Sequence, residues 1–185
     1  MKVIEQIKAI RDLKGTIISL IKRGAVFIYP TDTIYGLGCN AEITGSVFKI
    51  RAIKGTQHPF SVIAPSISWI KENMVINHPE YLDKLPGPYT LIFKKKRPIL
   101  RQASLLDTLG IRIPNHPFTK VIQEAGVPFV TTSANISGQE PIKQLSDIAE
   151  EIKNRVDVVI DAGVLDNPPS TIFDLTGKEP KIIRN

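Results

Sequence analysis

Short apolar runs rich in β-branched residues recur along this chain, each bounded by proline or glycine, and few architectures accommodate that rhythm. The runs are "AVFIYP" (25–30), "FSVIAP" (60–65), "YTLIF" (89–93), "LGIRIP" (109–114), "VPFVTTS" (127–133), "VDVVID" (156–161), "STIFDL" (170–175) and "KIIR" (181–184). Patterns of helical period alternate with them. Residues 5–23 read as one or two helices stopped by Gly24. "TGSVFKIRAIKG" (44–55) spaces Val47, Ile50 and Ile53 on one helical face. "SISWIKEN" (66–73) opens on Ser66 as a cap. "HPFTKVIQEAG" (116–126) and "LSDIAEEIKN" (145–154) complete the helices, and Ser146 with Glu150 lies near capping-box spacing. The mixture predicts one α/β domain over residues 1–185, with a twisted, mixed, open sheet flanked by helices. Ligands of such sheets bind at strand ends and in the loops beyond them.

A chain of 185 residues with 42% hydrophobic content supports one well-filled core. No apolar stretch is long enough to span a bilayer. The N-terminal "MKVIEQIKAI" carries charges through its apolar positions, unlike a signal peptide. The single cysteine, Cys39, leaves no intramolecular disulfide and no cysteine cluster for zinc. These features predict a cytoplasmic chain. The net charge of +6 suits phosphate-bearing partners such as nucleotides or RNA, and equally a solvated basic surface. "KKKR" (94–97) reads as an RNA patch or as a charged strand end.

Hydroxyls and amides crowd three loops at strand ends: "PTDT" (30–33 with Pro30), "TTSANISG" (131–138) and "NPPSTIFD" (167–174). Each alone could cap a helix or close a turn. Three together suit a small-ligand cleft. Arg112 sits between Ile111 and Ile113 on a strand, so its guanidinium must reach solvent or meet a carboxylate or phosphate. Lys54 ends a helix, where it either favours the C-terminal dipole or serves a site. There is no phosphate-binding glycine loop and no dinucleotide fingerprint. His58, His78 and His116 show no metal-ligand spacing.

"GAVFIYPTDTIYGLGCNA", "AIKG", "PGPYTLIF", "LGIRIPNHP", "GVPFVTTSANISG", "VDVVIDAG" and "STIFDLT" follow one another as in the YrdC/Sua5 family, and the chain resembles that family from about residue 24 to 184. The resemblance implies an α/β fold with a basic concave cleft and the activity of a threonylcarbamoyl-AMP synthase. Such an enzyme joins L-threonine, bicarbonate and ATP, with Mg²⁺, and releases pyrophosphate. Its product supplies the t6A modification of tRNA through a downstream threonylcarbamoyl transferase complex. By the same resemblance Thr33, Arg112 and Ser170 contact L-threonine. Lys54, His58, Thr108, Thr131, Ser133, Asn135 and Arg184 contact ATP, and Lys54 and Arg112 are the catalytic pair. The resemblance names no metal ligands.

The chain departs from the family pattern in one corner. "KGTQHPF" carries Thr56 in place of an arginine and is shorter, His58 replaces an asparagine, and Ile63 replaces a histidine. The shortened loop is similar to the YciO branch. The other reading of the sequence is a protein that binds double-stranded RNA or tRNA on a basic concave surface without catalysis. A third is a paralogue that hydrolyses or transfers carbamoyl-type adenylates.

Overall fold

The computed structural model describes residues 1–185. In chain order the elements are β1 (Lys2–Glu5), α1 (Gln6–Arg11), α2 (Lys14–Lys22), β2 (Phe27–Tyr29), β3 (Gly36–Gly38), α3 (Thr44–Lys54), β4 (Ser61–Ile63), α4 (Ile67–Asn73) and β5 (Met74–Val75). A 3-10 helix (Pro79–Lys84) precedes β6 (Tyr89–Lys95). β7 (Thr108–Arg112), α5 (Pro117–Glu124), β8 (Phe129–Ser133), a 3-10 turn (Leu145–Asp147), α6 (Glu150–Lys153), β9 (Val158–Asp161), β10 (Thr171–Asp174) and β11 (Lys181–Arg184) follow.

The strands form one mixed sheet in the order β1-β9-β2-β3-β8-β4-β7-β6-β10-β11, with β5 paired to β6. β1–β9, β9–β2, β4–β7 and β6–β10 run parallel; the remaining pairs are antiparallel. β2 explains why helices cover both faces. Strand side chains alternate between faces. Val26 and Ile28 join one buried cluster with Val47 and Ile50 of α3, whereas Phe27 and Tyr29 join another with Ile17 and Ile21 of α2 and Phe118 and Val121 of α5. Each fully buried aliphatic side chain of this kind stabilises by roughly 1.5–3 kcal/mol.

Local chemistry sets the helix ends. The Ser66 hydroxyl accepts from the Trp69 N–H at 3.0 Å and starts α4, as its sequence position predicts. His116 caps α5 through Nδ1, which accepts from the Phe118 N–H at 3.2 Å, and Pro117 takes the first turn. α3 stops at Gly55, whose φ of 62° is left-handed backbone that glycine adopts without strain.

Several expectations are corrected. The first helix begins at Gln6, because Lys2–Glu5 pair with β9 as a strand. Residues 145–154 do not form one helix: Ile148 and Ala149 separate the 3-10 turn from α6, and the capping box is Gln144 with Asp147 rather than Ser146 with Glu150. β3 and β5 lie in segments that carry no strand signal. No helix is long and apolar enough to cross a membrane.

Candidate functional site

The loop after β2 is tied by its own hydroxyls. Thr31 Oγ1 donates to Ile34 O at 2.7 Å and accepts from the Thr33 N–H at 3.1 Å. Thr31 and Thr33 hydroxyls also meet at 2.9 Å. Because the Thr31 proton is spent on Ile34 O, Thr33 donates in that contact. Thr33 thereby turns its lone pairs to Arg112, whose Nη2 lies 3.3 Å away.

Arg112 ends β7 and is 8% exposed, so the solvent-facing alternative for it fails. Register explains the burial: Arg112 pairs with Ile63 of β4 in mid-sheet. Its Nη2 reaches Asp32 Oδ1 at 3.2 Å, and the other Asp32 oxygen accepts from the Asn115 N–H at 2.8 Å. Arg112 Nε is buried without any partner. A buried guanidinium donor in that condition calls for an acceptor supplied by a ligand. Burial pulls the Arg112 guanidinium below its ordinary value, and Asp32 opposes the shift.

The opposite wall comes from three strands. Thr90 of β6 and Ser170, just before β10, share a hydroxyl contact of 2.9 Å. Arg184 of β11 donates through Nε and Nη2 to Ser170 O at 3.1 and 2.8 Å, and through Nη2 to Ser170 Oγ at 3.1 Å. On the third side Thr131 of β8 accepts from the Tyr29 hydroxyl at 2.6 Å, which leaves the Thr131 proton free for a ligand. Burial raises the Tyr29 hydroxyl well above its ordinary value, so it stays a donor.

These groups enclose a cavity of about 160 Å³ whose lining contains Arg112 and Arg184 but no carboxylate. It is smaller than the usual pocket of a drug-sized ligand, about 300–1,000 Å³, and suits a small polar anion. Of the predicted residues, Thr33, Arg112, Thr131, Ser133, Ser170 and Arg184 line it. Lys54 and Asn135 stand behind Ser133. Lys54 Nζ donates to Ser133 O at 2.9 Å, to Ser133 Oγ at 3.3 Å and to Asn135 Oδ1. Lys54 is 5% exposed, and burial lowers its ammonium to about 8. It is thus more than a helix-end charge.

His58 and Thr108 are not in the lining. His58 is exposed; its carbonyl accepts from Arg51 and its N–H donates to Thr56 Oγ1. The cavity meets that loop through Pro59 and Phe60. Thr108 opens β7, paired with Lys94, at the opposite end of the strand from Arg112. Two contributors were not named as site residues from the sequence: Asp32, inside the hydroxyl-rich "PTDT" loop, and Thr90, a lone hydroxyl in an apolar strand; Thr31, of the same loop, serves to orient Thr33.

No group of three or more His, Cys, Asp or Glu side chains converges in a way that could hold a metal ion. Asp32, the carboxylate paired with Arg112, is spent on Arg112 and the Asn115 N–H. The chain's residues therefore do not form a cradle for Mg²⁺.

The Sua5/YciO/YrdC family model, described as "Telomere recombination", matches residues 19–185. A putative threonylcarbamoyl-AMP synthase of Methanocaldococcus jannaschii is 37% identical over 186 residues, covering 97% of this chain and 85% of the relative. The crystal structure of Pyrococcus abyssi Sua5 complexed with L-threonine superposes with a TM-score of 0.84 at 29% identity, over 99% of this chain but 56% of that one. Escherichia coli YciO superposes with a TM-score of 0.82 at 27% identity, over 94% of this chain and 88% of that one. With the match running through nearly every element described above, the chain belongs to the Sua5/YciO/YrdC family.

Proposed function

We propose that the chain is an L-threonylcarbamoyladenylate synthase, which converts L-threonine, bicarbonate and ATP into threonylcarbamoyl-AMP and pyrophosphate. The observation that carries the reading is Arg112, buried in the cavity wall with an unpartnered Nε. A carboxylate bound to that edge gains a charge-assisted fork that no side chain of the protein provides. Thr33 lies 3.3 Å from Arg112 Nη2, and Ser170 lines the same cavity, so both hydroxyls are offered to the rest of the amino acid. The likeness to a Sua5 protein complexed with L-threonine supports the choice of substrate.

The threonine amine attacks bicarbonate, water leaves, and a carbamate forms. A carbamate oxygen then attacks the α-phosphorus of ATP while the bond to pyrophosphate breaks. Arg112 holds the threonine carboxylate and so fixes the amine. Thr131 and Ser133 offer hydroxyls at the nucleotide side, and Lys54 and Arg184 supply positive charge as the phosphate oxygens gain negative charge. Lys54 reaches them only by exchanging its bonds to Ser133 and Asn135. Asn135 completes this corner; His58 and Thr108 contribute to ATP only if the nucleotide extends beyond the cavity. Mg²⁺ would arrive with the nucleotide and add charge neutralisation. The product would pass to a transferase acting on tRNA.

A pyrophosphate-release assay tests the reading. Release is expected only with L-threonine, bicarbonate and ATP together, and omission of any one should stop it. Release that ignores threonine, or none from folded protein, overturns it and favours the RNA-binding or paralogue alternatives.

A further inference from the structure

The connection between β6 and β7, residues 96–107, lies at the far end of that hairpin from Thr90 and Arg112, about 16 Å along the strands. It is held firmly. Arg51 Nη2 donates to Gln102 O and Ala103 O at 2.8 and 3.0 Å, and the Arg51 guanidinium lies 4.5 Å over the Phe60 ring. Lys95 Nζ donates to Ile99 O and Ser104 O, Gln102 Nε2 to Thr44 Oγ1, and Ser104 Oγ to Thr108 O. Ala103 and Ser104 are wholly buried. Leu100 is the one non-glycine residue with positive φ, at 49°. Strained backbone persists where its surroundings over-determine it, and it clusters at functional segments.

This fixed loop turns its next two side chains outward: Leu105 is 79% and Leu106 55% exposed. Around them stand Lys95, Lys96, Arg97 and Arg101, with Asp107 as the single acid, and together they border a cavity of about 350 Å³. None of these cations, nor Lys94, takes part in any of the molecule's ion pairs. Two exposed leucines inside a cationic rim that no carboxylate neutralises, its Lys96 Nζ resting on Lys71 O at 2.7 Å and its Arg97 Nη2 on Asn73 Oδ1 at 3.1 Å, repeat the anatomy of a protein interface, with apolar centre and charged edge. Rigidity lowers the entropic cost of binding there.

We infer that this face docks an acidic protein segment, whose carboxylates meet Lys96, Arg97 and Arg101 while its apolar side chain packs between Leu105 and Leu106. Charge complementarity selects the partner. A second copy of this chain would bring like charge to like charge. Single-stranded nucleic acid calls for aromatic stacking surfaces, and none lines the cavity. A concave site matches a side chain better than a flat bilayer. The inference is independent of the reaction proposed for the cavity.

Fluorescence anisotropy of the full chain with a short labelled peptide of glutamates around two leucines tests it. Binding at low salt is expected, weakened about tenfold by Arg101→Glu and similarly by Leu105→Ser. Both positions are exposed, so unchanged thermal unfolding verifies that the variants fold. Four outcomes overturn the inference. They are no peptide binding, equal binding of a peptide with serines for leucines, indifference to both substitutions, and tighter Arg101-dependent binding of an RNA duplex, oligouridylate or phosphatidylserine vesicles.

Discussion

Arg112 concentrates the chemistry of the site in one side chain. Its Nη2 is shared between Asp32 and Thr33, and its Nε has nothing. Asp32 balances one guanidinium, but Arg184 adds a second positive group across the cavity, so the pair still favours an anion. Arg112→Ala removes the charge-assisted contact and strands Asp32. The expected loss of L-threonine affinity is about 2–5 kcal/mol, with ATP affinity little changed. Arg112→Lys should rescue poorly, since an ammonium cannot offer two parallel N–H groups. Calorimetric titration with L-threonine and ATP checks both variants, and unchanged threonine affinity in Arg112→Ala would remove the residue from the site.

At the level of elements, the strands with continuous apolar runs were legible within a residue or two, since β2, β6, β8 and β9 are buried and read as such. β3 was not. Its sequence is Gly36-Leu37-Gly38, and two glycines in three residues look like a turn. The glycines are there because the neighbours come too close for side chains. A Cβ on Gly38 would lie 2.2 Å from Val130 O and 2.4 Å from a Phe129 ring carbon, and one on Gly36 would lie 2.8 Å from the Tyr29 ring. β1 was hidden for another reason: it is a mostly exposed edge strand whose Lys2 and Glu5 break the apolar signal. The site was legible by residue type but not by pairing. Nothing local tells that Thr90 meets Ser170 or that Asp32 faces Arg112, because sheet register sets those contacts across 80 residues of chain. Gly38→Ala tests the close approach. It should push β8 aside at Val130, destabilise the fold by about 1–3 kcal/mol, and disturb Thr131 and Ser133 in the cavity wall. Denaturant unfolding measures the first effect; an unchanged midpoint would show that β3 and β8 have room to spare.

Across the whole molecule, three buried groups make stability depend on alkaline pH in opposite directions. Lys54 is lowered by burial from its ordinary 10.5 to about 8. Between those values the unfolded chain binds a proton that the folded chain has released, so stability rises with pH through that window. Cys39 and Tyr29 behave in the reverse sense. Burial raises both above their ordinary 9.0 and 10.0, so the unfolded chain loses protons that the folded chain keeps, and their stabilisation drains away above those values. His116, lowered by burial below its ordinary 6.5, adds a loss of stability on the acid side. The sum rises from about pH 8 to 9, levels off between about 9 and 10 where Lys54 and Cys39 oppose one another, and falls above about 10 where Tyr29 joins Cys39, each limb with a slope below about 1.4 kcal/mol per pH unit for a single proton. Denaturant midpoints measured in steps from pH 6 to about pH 11 should trace it. Lys54→Met should lower stability by leaving Ser133 and Asn135 short of a donor, and should also flatten the rise above pH 8. Cys39→Ala should let the rise continue from about pH 9 towards 10. A maximum at neutral pH whose shape ignores Lys54 would mean that its ammonium stays charged in the fold, held by Ser133 and Asn135 strongly enough to cancel its burial.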